Sequence, residues 1–124
     1  MMGEYPIFDE HALDQYREFW GEEAPEVIRE LLTMFLQQTP SQVETIQSAF
    51  QTGDLATVRR VAHTLKSSSG SVGAYALAEL CRQVEDLAAH GQGAALSPLV
   101  PQLVEIATMT TQVLREYLDQ EVGG

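Results

Sequence analysis

Between residues 28 and 50 the apolar side chains Ile28, Leu32, Phe35, Val43, Ile46 and Phe50 recur at spacings of three, four and eight, and their phase runs straight through Pro40. This is the period of an α-helix with one buried face. Thr39-Pro40-Ser41-Gln42 also reads as a capping box that would start a new helix. A true break would reset the phase, so the expectation is one long helix kinked at the proline. Pro25 sits where a first-turn proline belongs, and Gly53 stops the stretch, which gives a helix over about 25–51.

The same period repeats along the rest of the chain, and strand-like alternation is nearly absent. A first helix is expected over about 9–20, from an Asp9 cap to the residue before Gly21. Asp54 caps a helix over about 54–70 with the stripe Leu55, Val58, Ala62, Leu65, Ser69 and Val72. A helix over about 75–90 carries Leu77, Leu80, Val84 and Leu87 and closes near Gly91. Ser97 and Pro98 open the last, over about 98–121, with the stripe Leu99, Leu103, Ile106, Thr110, Val113 and Tyr117. Four amphipathic helices with short connections imply an all-α fold, an antiparallel four-helix bundle with the N-terminal helix as an additional cover. The 124 residues suit a single domain.

Charge narrows the classes of partner. The net charge of −11 opposes binding to nucleic acid or an anionic membrane surface. No apolar run approaches the roughly 20 residues of a membrane span, and the N-terminus lacks the pattern of a signal peptide, so the cytoplasm is the expected compartment. Cys81, the single cysteine, has no partner for a disulfide and reads as a small buried hydrophobe. The charge is uneven: residues 51–86 hold four basic and four acidic side chains, leaving three basic against fourteen acidic elsewhere. The least acidic surface therefore surrounds the segment AHTLKSSSGSVGA at 62–74.

On its helix, His63 lies about 130° from the centre of the apolar stripe, so its ring faces solvent. Arg59 and Lys66 share its column, and Ser67 and Gly70 are its small neighbours toward the C-terminus. An exposed imidazole beside cations and an almost bare surface suits phosphoryl transfer, which depends on in-line positioning and on positive charge against the phosphoryl oxygens. Nearby Lys66 and Arg59 favour the neutral, attacking form of the ring. Glu85, on the flank of the next helix's stripe, could accept a hydrogen bond from Nδ1–H and leave Nε2 as the nucleophile. His11 and His90 read as polar surface residues. The run Ser69-Gly70-Ser71-Val72-Gly73 lacks the first glycine of a hydrolase nucleophile elbow, and a lysine that precedes its glycines does not make a phosphate loop.

The segment His63-Thr64-Leu65-Lys66-Ser67-Ser68-Ser69-Gly70-Ser71-Val72-Gly73-Ala74, the upstream Gly53-Asp54 turn, and Leu77, Leu80, Cys81 and Glu85 downstream resemble the histidine-containing phosphotransfer (HPt) domains of multistep two-component signalling. The resemblance covers essentially the whole chain. It implies that His63 accepts a phosphoryl group from the aspartate of one receiver domain and passes it to another, that Lys66 steadies that group, and that Glu85 orients the ring. Arg59, Arg60, Ser67, Gly70, Ser71 and Arg82 form the candidate docking surface. Ser67 departs from the glycine that is usual in the family and leaves the surface slightly more crowded.

The expected partners are response-regulator receiver domains and a hybrid sensor histidine kinase, with the protein itself a monomer. No bound cofactor or metal is expected, because any Mg²⁺ needed for transfer would reside in the receiver. With no nucleotide-binding segment, the chain is not expected to be a kinase. Two alternatives remain: a docking module that does not transfer, and the phosphoacceptor domain of a larger kinase. Met1-Met2 and the short tails suit a free-standing protein.

Overall fold

The computed structural model describes residues 4–123, with side chains as far as residue 120; the Met1-Met2 start lies outside the described residues. Asp9 does open the first helix, as its carboxylate accepts from the His11 backbone N–H. The first turn, Glu10–Leu13, is 3₁₀, and α1 follows as Asp14–Trp20. Gly21 ends it at φ 57°. A 3₁₀ turn, Gly21–Glu23, leads into α2, Ala24–Gln51, which continues unbroken through Pro40. Preserved apolar phase thus outweighs the missing N–H: Ile28, Leu32, Phe35, Val43 and Ile46 are all buried on one face.

The next helices are α3, Leu55–Ser71, and α4, Tyr75–Ala89. Asp54 caps α3 through the Thr57 N–H at 3.1 Å. Gly73 closes it in a Schellman motif, with Gly73 N–H donating to the Gly70 carbonyl and Ala74 N–H to that of Ser69. Its φ of 83° is natural only for glycine.

Two features of the C-terminal region differ from the sequence reading. A one-turn helix, α5, Gly93–Leu96, precedes the last long helix and is anchored by fully buried Leu96. The last helix, α6, is Leu99–Tyr117, and Leu118–Gly123 widen into a π-helical end. Its buried line is Val100, Leu103, Ala107, Thr110 and Leu114, turned from the expected stripe so that Val113 is exposed and Leu99, Ile106 and Tyr117 are half-buried. Apolar residues occupy more than half of this helix's circumference, so periodicity alone left its face undetermined. Small Ala107 takes the core position next to the bulkier Ile106.

The four long helices form an antiparallel ring in which α2 pairs with α3, α3 with α4, α4 with α6, and α6 closes on α2. No strand occurs among the described residues. The N-terminal segment covers the end where α3 turns into α4. Asp9 N–H donates to the Gly73 carbonyl at 2.9 Å, Ala76 N–H to the Pro6 carbonyl at 2.9 Å, and the Tyr16 hydroxyl to the Ser71 carbonyl at 2.9 Å. Leu13 is fully buried beneath it, and Phe8 packs edge-on to Tyr117 with centroids 4.9 Å apart.

Candidate functional site

His63 stands at the midpoint of α3, on the face turned from the core, with its side chain 61% exposed. The α3–α4 turn is centred near Gly73 and Ala74, so antiparallel pairing brings residue 85 level with residue 63. The His63 Nδ1 to Glu85 Oε2 distance is 2.8 Å. One helical turn along α3, Lys66 Nζ reaches the other oxygen, Oε1, at 2.7 Å. A single carboxylate therefore bridges an imidazole and an ammonium.

The electrostatics fix the roles. The Lys66 ammonium, and after it the His63 ring, hold the Glu85 carboxyl below its ordinary value, against the opposing effect of partial burial. An ionised carboxylate only accepts hydrogen bonds, so Nδ1 must carry the proton. In the neutral ring the lone pair then lies on Nε2. Beneath this group Cys81 is fully buried, and burial pushes its thiol up to about 12, which keeps it a protonated core residue.

The candidate docking residues divide into separate places. Arg59 and Arg60 line a depression of about 380 Å³ with Ala56, His63, Thr64 and Glu85. Ser67 and Ser71 line a different groove of about 350 Å³ on the α2 side, with Leu31, Phe35 and the exposed Met34. Thr64 borders both. Gly70 is half-buried, and a Cβ built on it meets no atom within 4 Å, so the surface there is open. Arg82 lines neither place. Its guanidinium grips Glu79 through Nε to Oε1 at 2.9 Å and Nη2 to Oε2 at 2.7 Å. Among the described residues no three His, Cys, Asp or Glu side chains gather as a metal centre requires. No helix of the described residues is long and apolar enough to cross a membrane.

Sequence reasoning foresaw the His63–Glu85 contact but not the Lys66–Glu85 ion pair, nor the share of α2 in the surface beside Ser67. The first follows from the same antiparallel register that places Glu85. The second had no signal, because which face of α2 meets α3 is a matter of tertiary packing.

The fold and site together define an all-helical bundle that presents an exposed histidine at the middle of one helix, its Nδ1 held by a carboxylate. Comparison with known proteins specifies the family. A model of the Hpt domain family matches residues 30–121, and the chain belongs to that family, the histidine phosphotransfer domains of two-component signalling. Histidine-containing phosphotransfer protein B from Pseudomonas aeruginosa PAO1 has a similar structure, with TM-score 0.80 and 24% identity over 93% of this chain and 96% of that one. The HPT domain of a sensor hybrid histidine kinase from Shewanella gives TM-score 0.78 and 23% identity over 92% of this chain and 95% of that one. These two share the fold. No curated protein matches the chain in sequence.

Proposed function

We propose that the protein is an intermediate in a multistep phosphorelay, in which His63 accepts a phosphoryl group from a receiver-domain aspartate and passes it to another receiver. The observation that carries this reading is the 2.8 Å contact between His63 Nδ1 and Glu85, which directs the nucleophilic nitrogen of a largely exposed ring outward. The Nε2 lone pair forms the N–P bond as the P–O bond of the acyl phosphate breaks and returns a free carboxylate to the donor. Nδ1 keeps its proton, and Glu85 offsets the positive charge that the ring acquires. Transfer to the second receiver is the reverse reaction with a new carboxylate. Mg²⁺ belongs to the receiver, where it neutralises the phosphoryl oxygens.

Membership of the Hpt family supports this reading, as do the arginines beside the ring, which suit an acidic phosphoacceptor pocket. A hybrid sensor histidine kinase is the expected source of the phosphoryl group. The test is incubation with a phosphorylated receiver and Mg²⁺, followed by assay for acid-labile, alkali-stable label. Labelled wild-type protein and unlabelled His63→Gln are expected. No label from any of several receivers would refute the relay reading, and label that persists in the variant would refute the assignment of His63.

A further inference from the structure

Most hydroxyls that reach the surface of α3 are committed within the helix. Thr57 donates to the Asp54 carboxylate at 2.6 Å, Thr64 to the Arg60 carbonyl at 3.3 Å, Ser68 to that of Leu65 at 3.2 Å and Ser71 to that of Ser67 at 3.0 Å. Ser67 is exposed, and its own hydroxyl makes no hydrogen bond among the described residues. We propose that this hydroxyl donates a hydrogen bond to the phosphoryl group carried on His63 Nε2 and so prolongs the life of the phosphorylated state. The proposal deepens the relay reading and rests on it for the biological presence of that group.

Position supports the role. Ser67 follows His63 by four residues on α3, a spacing that sets the two Cβ atoms about 5–6 Å apart on one column. Side chains on a helix lean toward its N-terminus, so the Ser67 hydroxyl leans over the turn that carries the ring. The two flanks of the column differ. On the α4 flank Glu85 holds Nδ1 at 2.8 Å and takes Lys66 Nζ at 2.7 Å. Ser67 stands on the α2 flank, where it borders a groove with Leu31 and Met34, and the ring edge that bears Nε2 is turned from Glu85. Arg59 and Arg60 border the ring from its N-terminal side, which leaves the C-terminal side of a bound phosphoryl group to Ser67.

Such a donor acts before any bond breaks. Its hydrogen bond to a charged oxygen belongs to the stronger kind. The transition state for phosphoryl loss is loose, so negative charge passes to the water-facing metaphosphate and the departing ring while the ground-state hydrogen bond slackens. A hydroxyl that holds the ground state therefore slows spontaneous loss. The glycine usual in the family at this position offers no such donor.

The test loads the ring without a receiver. The Nε2 lone pair attacks phosphoramidate, whose own P–N bond breaks to release ammonia. In the hydrolysis that follows, a water oxygen bonds to phosphorus, the N–P bond breaks, inorganic phosphate leaves and Nε2 recovers its lone pair. Decay of the acid-labile label is followed at fixed pH in wild type, Ser67→Ala, Ser67→Thr and Ser67→Val, with His63→Gln to subtract label on other groups. Position 67 is exposed, and urea midpoints confirm folding. The threonine and valine variants match in shape and differ in the hydroxyl. Wild type and Ser67→Thr should share one half-life, while Ser67→Ala and Ser67→Val should lose label about fivefold faster, the worth of one hydrogen bond.

Three results overturn the proposal: one half-life common to all four proteins, agreement between Ser67→Thr and Ser67→Val, which would make bulk rather than the hydroxyl responsible, or acid-stable label on Ser67, which would make the hydroxyl an acceptor of the group. Wild-type protein labelled by phosphoramidate but by no receiver would refute the relay reading, while the half-lives would still decide the role of Ser67. Wild-type protein that phosphoramidate does not label at His63 would overturn both.

Discussion

Replacing Gly73 by alanine should cost far more stability than the same replacement at Gly53, although both glycines close Schellman motifs at positive φ, 83° and 76°. Holding alanine in the left-handed region costs roughly 1–2 kcal/mol at either position. At Gly53 that is the whole effect, since a Cβ meets nothing within 4 Å. At Gly73 a Cβ would overlap the Asp9 carbonyl oxygen and lie 2.9 Å from the Ala12 Cβ. Backbone cannot swing aside as a side chain does, so the N-terminal segment must lift. Lifting forfeits the Asp9–Gly73 and Ala76–Pro6 backbone bonds, about 1 kcal/mol each. It also uncovers Leu13, whose full burial is worth about 1.5–3 kcal/mol. The expected loss is therefore about 4.5–7 kcal/mol for Gly73→Ala against 1–2 kcal/mol for Gly53→Ala. Urea unfolding of both variants measures the difference, and amide exchange at Asp9 and Ala12 should accelerate only in the first. Equal losses would refute the argument that close contact, rather than backbone conformation, makes glycine necessary at 73.

Two further outcomes follow from polar groups outside the site. The Ser69 hydroxyl is fully buried without a hydrogen-bond partner among the described residues, so Ser69→Ala should stabilise by about 1 kcal/mol, from lost desolvation and better helix propensity; a fall in the thermal midpoint would refute this. The hydrogen bonds from Arg82 hold the Glu79 carboxyl at about 2 rather than 4.5, so its contribution is present above pH 4.5 and is lost as pH falls through 2. With Arg82 more than half exposed, solvent screening keeps the pair under about 1 kcal/mol. Glu79→Gln should lower stability by that much at pH 7 and flatten its decline between pH 4.5 and 2. An undiminished acid decline in the variant would show that other carboxylates carry it.

What the sequence revealed depended on whether a feature was local or set by packing. Helix boundaries marked by Asp9, Asp54, Gly53 and Gly91 were legible, because caps and left-handed glycines act within a few residues. So was the contact between His63 and Glu85, since equal counts on either side of a tight antiparallel turn leave little freedom in register. The buried face of α6 was not legible, because apolar side chains on most of its circumference allow several rotations and only the facing helices choose among them. The pairing of Arg82 with Glu79 was not drawn from the sequence either, although a spacing of three on a helix is a local signal for an ion pair. The groove beside Ser67 needs Met34 from α2, about thirty residues distant, and no local pattern announces that pairing.

The run Ser67 to Ser71 sets bareness against order. A landing surface beside His63 needs small side chains, yet four serines and a glycine in place of alanine cost a helix roughly 3 kcal/mol. Propensity would therefore fray α3 just past the histidine, but the helix continues to Ser71. The Ser68 and Ser71 hydroxyls bond back to the Leu65 and Ser67 carbonyls, which satisfies them without restoring helix propensity. The offset comes from beyond the helix end. Tyr16, Asp9 and Pro6 contribute three hydrogen bonds to residues 71–76, about 1 kcal/mol each, which together match the deficit. The N-terminal segment thus does more than cover the bundle. It supplies from outside the rigidity that a bare helix surface cannot supply for itself, and this lets the residues beside His63 remain small while the helix that carries the ring stays formed.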